Sequence, residues 1–181
     1  MKNAILLCGT PRTFVFKEQI EYFKYLKQRF VNADFFILLK LPKFKTDELK
    51  KFEPGQPYTE HFIQTEQGIE NLITQINNIN PVFFKIINDD DILKTDNKIN
   101  DCLYSQWYMI DYLLKQANDY STQKNFEYPF FIRHRLELTC SNFFFDIETL
   151  NDDLIYTDYK DKANDRPING SDIFFILSNK L

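Results

Sequence analysis

The sequence has few of the residues on which metal sites and nucleophilic hydrolases depend. Of its 181 residues, two are histidine and three are cysteine, and the cysteines (Cys8, Cys102 and Cys140) show no CxxC or other metal-type spacing. A zinc site is therefore not expected, since zinc in proteins is bound mainly by closely spaced Cys and His. Nucleophilic hydrolysis is poorly supported as well, because the Gly-x-Ser-x-Gly motif is absent and so few histidines leave few general bases.

The sequence also lacks long apolar runs and an excess of positive charge. The apolar stretch at residues 4–7 is too short for the core of a signal peptide, and no segment approaches the ~20 apolar residues that span a bilayer. An odd, scattered set of cysteines is typical of a reducing compartment, so we predict a cytoplasmic protein with no transmembrane segment. The net charge of −4 argues against a nucleic-acid partner, because neutralising phosphates needs a basic surface.

The sequence is rich in apolar residues: 44% of its residues are hydrophobic and 19 are phenylalanine. This composition favours a globular chain over a disordered one, and the length fits a single domain over residues 1–181. The chain stops four residues after its last predicted strand at 173–177, which suggests that the domain is truncated at its C-terminal end.

Apolar runs alternate along the chain with segments of helical periodicity. Strands are predicted at residues 4–8, 34–41, 82–87, 128–139, 154–157 and 173–177. Helices are predicted around the apolar positions of residues 16–30, 69–79 and 103–117, with a short helix at 47–52. In the third long helix, the apolar stripe of Leu103, Trp107, Ile110, Leu114 and Ala117 assigns Trp107 to the core. This order predicts a layered α/β fold with a mostly parallel central sheet flanked by helices.

The loop after the first predicted strand is the first candidate site. Gly9 lets the backbone approach a ligand closely, Thr10 would cap the following helix, and Arg12 adds a positive charge near the free N–H groups of that helix. Because ligands of open α/β sheets bind beyond the carboxyl ends of the strands, this loop is suited to an anion. It is neither a P-loop nor a GxGxxG motif, and the alternative is an ordinary turn with Arg12 in solvent.

The second candidate is the strand predicted at 128–139. Side chains alternate between the two faces of a strand, so Arg133, Arg135 and Glu137 share one face. Two arginines and a carboxylate in a row could bind a diphosphate, or position a carboxylate for a metal or a sugar hydroxyl. The alternative is a half-exposed strand with a charged face in solvent. His134 falls on the apolar side, where a structural role is expected.

Two further stretches carry polar groups. Residues 88–91 (Asn-Asp-Asp-Asp) follow the third predicted strand and could hold Mg²⁺ or Mn²⁺ beside a nucleotide diphosphate, although Asp-rich loops also form solvated turns and helix caps. In the third long helix, Gln106 lies beside the apolar stripe, near its edge. A polar amide there can face a ligand pocket, and simple exposure is the alternative.

Four segments in this order form a wider pattern: Gly-Thr-Pro-Arg-Thr-Phe at 9–14, Ser-Gln-Trp-Tyr at 105–108, Tyr-Pro-Phe-Phe-Ile-Arg-His-Arg-Leu-Glu-Leu at 128–138, and Asn-Gly-Ser-Asp-Ile-Phe at 169–174. In these motifs the chain resembles a group of GT-A-like glycosyltransferases associated with bacterial surface polysaccharides and large DNA viruses. The order and rough spacing of the segments agree over most of the chain. Where the family has Asp after the second arginine of the strand motif, this chain has Glu137.

The resemblance implies a GT-A-like (Rossmann-like) nucleotide-sugar-binding fold. It implies transfer of a sugar from a nucleotide-diphosphate-sugar donor to a glycan acceptor, with Mn²⁺ or Mg²⁺ as the candidate cofactor. Gly9, Thr10 and Arg12 would then lie by the nucleotide or its phosphates, and Gln106 is a further candidate for ligand binding.

The resemblance also assigns roles towards the end of the chain. Arg133, Arg135 and Glu137 would lie near the diphosphate and the donor sugar, with Glu137 as the candidate metal ligand. Asp172 is the candidate catalytic carboxylate, which orients the sugar or acts as the base for the acceptor. Two alternatives remain open: a catalytically inactive nucleotide-sugar-binding or assembly domain, and a sulfotransferase-like enzyme whose Pro-Arg loop cradles a 5′-phosphosulfate.

Overall fold

The computed structural model of the chain describes residues 2–9, 21, 24–28, 30–41, 66–88, 91–92, 102–135, 156–157 and 174–178. The strands are β1 (Asn3–Gly9), β2 (Ala33–Leu41), β3 (Phe83–Asn88), β4 (Phe130–Arg135), β5 (Tyr156–Thr157) and β6 (Phe174–Ser178). The helices with defined bounds are α1 (Glu66–Ile79) and α2 (Cys102–Gln123), and residues 24–28 are also helical. The predicted helix at 47–52 and the start of the first predicted helix lie outside the described residues.

The six strands form one sheet in the order β3-β2-β1-β4-β6-β5. Parallel pairing joins β1 to β2, β1 to β4 and β2 to β3, whereas β4 pairs with β6 and β5 with β6 in antiparallel fashion. The sheet is therefore mixed, and its combination with helices confirms the predicted α/β class.

Both faces of the central strands are buried. On one face, residues such as Ile5 and Ile37 pack with Leu26 and with Ile76 of α1. On the other face, Leu6 and its neighbours pack against α2. A strand covered on both faces needs apolar residues at successive positions, which is why β1 and β2 appear in the sequence as continuous apolar runs.

The boundaries of α1 and α2 follow from local backbone chemistry. Asn80 and Asn125, one or two residues beyond the helix ends, have left-handed φ angles of 54° and 56°, a conformation that Asn tolerates and that ends helices. After α2, the backbone N of Phe126 donates to the carbonyl of Ser121 at 3.1 Å, as in the Schellman arrangement. The predicted end of α1 at residue 79 agrees with the structure, whereas α2 continues to Gln123, six residues beyond the last predicted apolar position at 117.

The buried face of α2 differs from the predicted one. Met109, Ile110, Leu113 and Ala117 are buried against the sheet, whereas Trp107 is 53% exposed. The assignment of Trp107 to the core is therefore wrong. Apolar residues occur on more than one side of this helix, and packing against the sheet selects the face centred on Met109 and Leu113.

Candidate functional site

The order of the strands places the ends of β1 and β4 side by side. Strands β2 and β3 follow β1 in the chain and extend the sheet in one direction, whereas β4 pairs with the other edge of β1. In the parallel register, Cys8 of β1 lies opposite Arg135 of β4. Ligands of open α/β sheets bind in the crevice outside the carboxyl ends of strands, at the point where the strand order reverses. The strand ends that carry the two strongest sequence candidates are therefore neighbours, at the kind of position where open α/β sheets bind ligands.

Gly9 ends β1 at this edge with a φ angle of 144°. Only glycine enters this region without strain, because a Cβ atom would collide with the backbone. The glycine predicted to allow close backbone approach is therefore also required by the conformation of the chain. Thr10 and Arg12, the other two predicted residues of this loop, lie outside the described residues.

Arg133 of β4 is buried, with 1% of its surface exposed. It is on the same face of the sheet as Phe131, since side chains alternate along a strand, and Phe131 belongs to the apolar cluster beneath α2. The alternative of a charged strand face in solvent is therefore wrong for Arg133. Arg133 is buried because β4 has a neighbouring strand on each side, β1 and β6, and is packed on both faces.

His134 is equally buried but lies on the opposite face, next to Ile132 in the chain. This agrees with the prediction that His134 falls on the apolar side of the strand. Arg135 is the last residue of β4, so its backbone lies at the carboxyl edge. Glu137 and Asp172, the predicted metal ligand and catalytic carboxylate, lie outside the described residues.

Helix α2 runs in the opposite direction to β1 and β2. Near its C-terminal end, the ring of Tyr120 packs edge-on against the ring of Phe36, with 6.1 Å between centroids, and Phe36 is near the start of β2. At about 1.5 Å per residue, Ser105 lies roughly 22 Å back from Tyr120 along the helix axis. At about 3.3 Å per residue, the end of β2 at Leu41 lies roughly 17 Å from Phe36. The amino end of α2 therefore reaches the carboxyl edge of the sheet.

Gln106 lies on the buried face of α2. It precedes Met109, Ile110 and Leu113 by three, four and seven positions, and all three are buried. Residues with this spacing share one face of a helix, so Gln106 is on the face directed towards the sheet. The sequence had placed it near the edge of the apolar stripe. It is nevertheless only half-buried, which is the exposure expected of a side chain that reaches an open edge.

Ser105 was not among the site residues predicted from the sequence. Its side chain is 8% exposed, and its Oγ atom is buried without a hydrogen-bond partner among the described residues. The signal available in the sequence was its spacing of four from Met109, which places it against the sheet. That signal depends on knowing which face of α2 is buried.

The Asp-rich stretch after β3 behaves as a helix cap where the structure describes it. The backbone N of Asn88 donates to Oδ2 of Asp91 at 2.9 Å, and residues 91–92 are helical. A carboxylate that reaches back three residues to a free N–H is one half of a capping box. Within the described part of the chain, no group of three or more His, Cys, Asp or Glu side chains could hold a metal ion; Asp89 and Asp90 lie outside it.

At the opposite, amino edge of the sheet, a second polar cluster is formed by Lys2, Asp34 and Tyr128. The Tyr128 hydroxyl donates to Oδ2 of Asp34 at 2.6 Å, and the Lys2 ammonium lies 2.7 Å from Oδ1. Asp34 is 5% exposed and Tyr128 1%. Burial, followed by the hydrogen bond and the charge of Asp34, raises the pKa of Tyr128 above its ordinary value. Each oxygen of the buried carboxylate has a partner.

Comparisons of the chain with protein-family models, curated proteins and solved structures give no significant match. Neither α1 nor α2 is long and apolar enough to cross a membrane, as judged over the described residues.

Proposed function

We propose that this chain binds a nucleotide-diphosphate sugar at the carboxyl edge of its sheet and transfers the sugar to a glycan acceptor. The observation that carries the proposal is the meeting of Gly9, at the end of β1, with the Arg133–Arg135 end of β4 at the point where the strand order reverses. The resemblance of four sequence segments to GT-A-like glycosyltransferases suggests the reaction, and the neighbouring ends of β1 and β4 support a ligand site at this edge.

The same proposal extends to the fold. The strands β3-β2-β1-β4 are parallel and follow the order 3-2-1-4, which nucleotide-binding doubly wound sheets share. This part of the sheet supports a mostly parallel, GT-A-like (Rossmann-like) core, with β5 and β6 as an antiparallel addition.

The chemistry of sugar transfer explains why cations belong at this edge. When the bond between the sugar and the diphosphate breaks, negative charge accumulates on the leaving phosphate oxygens. A guanidinium fixed there in advance stabilises that charge in the transition state more than in the ground state. Arg133 is positioned by a buried strand and shielded from water, which strengthens its electrostatic interactions, and the amino end of α2 adds a positive dipole on the same face of the sheet.

The remaining roles are part of the proposal. Arg12 and Arg135 would contact the phosphates, Glu137 would bind Mn²⁺ or Mg²⁺, and Asp172 would orient the sugar or accept the proton of the acceptor hydroxyl. A bound divalent cation would supply further charge stabilisation for the leaving diphosphate. The stabilisation by Arg133 and by the amino end of α2 depends only on groups that the chain itself provides.

Thermal unfolding with a panel of nucleotides tests the proposal. A ligand at a hundred times its Kd stabilises the native state by about 2.7 kcal/mol, so UDP- or GDP-sugars with Mn²⁺ are expected to raise Tm. Release of nucleoside diphosphate is then measured with a panel of oligosaccharide acceptors. Stabilisation without transfer would instead identify an inactive nucleotide-sugar-binding domain. Stabilisation by 3′-phosphoadenosine 5′-phosphosulfate alone would identify a sulfotransferase-like protein, and no response to any nucleotide contradicts the proposal.

Replacing the buried guanidinium tests the residue on which the proposal depends most. Arg133→Met fills a similar volume without charge, and we expect it to weaken binding of UDP or GDP at least about tenfold, because a hydrogen bond to a charged group is worth about 1.5–3 kcal/mol. Isothermal titration calorimetry measures the change. Tyr128→Phe, at the far edge of the sheet, is the matched control and should bind as the wild type does. Unchanged affinity for UDP or GDP in Arg133→Met would show that the ligand does not contact Arg133.

A further inference from the structure

The hydroxyl of Ser105 stands out among the buried polar groups of α2. The side chain is more than nine-tenths buried, and its Oγ atom has no hydrogen-bond partner among the described residues. A buried hydroxyl that has given up its hydrogen bonds to water without replacing them is unfavourable, and native proteins hold few such groups. Such a group calls for a water molecule or a ligand as its partner.

A second serine in the same helix shows that the geometry of α2 does not force this state. Ser121 is 6% exposed, and its Oγ atom donates to the carbonyl of Asn118 at 3.0 Å. A serine on the buried face of this helix can thus bond to the backbone of the preceding turn. Ser105 and Ser121 lie in the same helix and are nearly equally buried, but among the described residues a hydrogen-bond partner is found for the Ser121 hydroxyl and not for that of Ser105.

The position of Ser105 indicates what kind of partner it can take. It is the fourth residue of α2, on the face that carries Met109, and helical side chains lean towards the amino end of their helix. The Oγ atom therefore lies beneath the first turn of α2, where backbone N–H groups lack intrahelical partners and the helix dipole is positive. Arg133 lies on the same face of the sheet, in register with Leu6, three residues before the end of β1 at Gly9.

A buried donor and a helix amino end on one face and one edge both favour negatively charged oxygen atoms. We infer that the Ser105 hydroxyl donates a hydrogen bond to a phosphate oxygen of the bound diphosphate, beneath the amino end of α2. The inference rests on the proposed function for the class of ligand, a diphosphate, but it does not depend on sugar transfer. Ser105 is then a binding residue that keeps its hydroxyl available at the expense of the stability of the free protein.

The test compares Ser105→Ala with Ser121→Ala, using inorganic pyrophosphate as the probe. Pyrophosphate is titrated at constant ionic strength, with sodium sulfate as the control anion, and both Kd and Tm are measured. The wild type is expected to bind pyrophosphate in preference to sulfate. In Ser105→Ala, we expect affinity to fall about tenfold, as for the loss of one hydrogen bond to a charged group, while Tm of the free protein stays the same or rises.

Ser121→Ala is expected to give the opposite result, with a lower Tm for the free protein and unchanged pyrophosphate affinity, because its hydroxyl has only an internal partner. A lower Tm together with unchanged affinity in Ser105→Ala would overturn the inference, as that hydroxyl would then be structural. No binding of pyrophosphate to the wild type would also overturn it.

These outcomes are distinguishable from failure of the proposed function. If Ser105→Ala loses pyrophosphate binding while the wild type transfers no sugar from any donor, the phosphate contact stands and the proposed reaction is wrong. If the wild type transfers sugar and Ser105→Ala binds pyrophosphate normally, the reaction stands and the contact is wrong.

Discussion

The cluster of Lys2, Asp34 and Tyr128 at the amino edge of the sheet and the Ser105 hydroxyl at its carboxyl edge differ in their hydrogen bonding. At the amino edge, the Asp34 carboxylate is bonded to the Tyr128 hydroxyl through one oxygen and to the Lys2 ammonium through the other. At the carboxyl edge, the Ser105 hydroxyl is buried without a partner among the described residues.

The polar cluster at the amino edge therefore stabilises the fold, whereas the Ser105 hydroxyl is suited to a ligand. A saturated cluster has no hydrogen-bonding capacity left for another molecule, whereas an unsaturated one loses stability until a ligand arrives. The direction of the secondary structure reinforces the contrast. The C-terminal end of α1 has a negative potential, and Lys27 donates to its last carbonyl, that of Ile79, at 3.0 Å; the positive amino end of α2 lies at the carboxyl edge.

The largest effect on stability is expected at the amino edge. Asp34→Ala removes the partner of both Lys2 and Tyr128 and leaves the Tyr128 hydroxyl buried without an acceptor. We expect the free energy of unfolding to fall by about 3 kcal/mol, measured by urea denaturation, with no change in nucleotide affinity. Asp34→Asn, which retains an acceptor for Tyr128, should lose less. A large loss of nucleotide affinity in folded Asp34→Ala would show that the amino edge also takes part in ligand binding.

A somewhat smaller effect, with a characteristic pH dependence, is expected for Tyr128→Phe. Loss of the hydrogen bond to the carboxylate should cost about 2 kcal/mol at neutral pH. The pKa of Tyr128 is raised in the folded state, so above about pH 10, where unfolded tyrosine titrates, the unfolded chain binds fewer protons than the folded chain and stability falls. The advantage of the wild type over Tyr128→Phe should therefore be constant below pH 10 and shrink above it. An advantage that grows with pH would contradict the buried, protonated hydroxyl.

The smallest effect is expected for Trp107→Leu. Because half of this side chain is exposed, the free energy of unfolding should change by less than about 0.5 kcal/mol. Trp107 is the only tryptophan of the chain, so quenching of its fluorescence by acrylamide measures its exposure directly. Weak quenching, or a fall of several kcal/mol in the free energy of unfolding of the variant, would show that Trp107 is buried in the core.

Local patterns predicted most of the described elements, and they predicted that Gly9 follows the first strand, where the candidate site begins. The apolar runs of β1 and β2 and the helical spacing of α1 are imposed by burial, and burial acts on residues that are close in sequence. Gly9 was predicted for the same reason, since a glycine directly after an apolar run is itself a backbone signal. The pairing of Asp34 with Tyr128 was not predicted, because the two residues are 94 positions apart and neither one is distinctive in its own segment.

The sequence by itself determined the α/β class, the buried central strands and the end of β1 at Gly9, because these depend on hydrophobic periodicity and on backbone conformations available to single residues. Only the tertiary structure decided which face of α2 is buried, that Arg133 lies in the interior, and that the Ser105 hydroxyl has no partner among the described residues. Each of these depends on which surfaces meet across the sheet, and apolar residues on several sides of one helix leave that choice to packing. The Asp34 carboxylate differs from the Ser105 hydroxyl for the same reason, because only the three-dimensional surroundings of a buried polar group determine whether it has a hydrogen-bond partner.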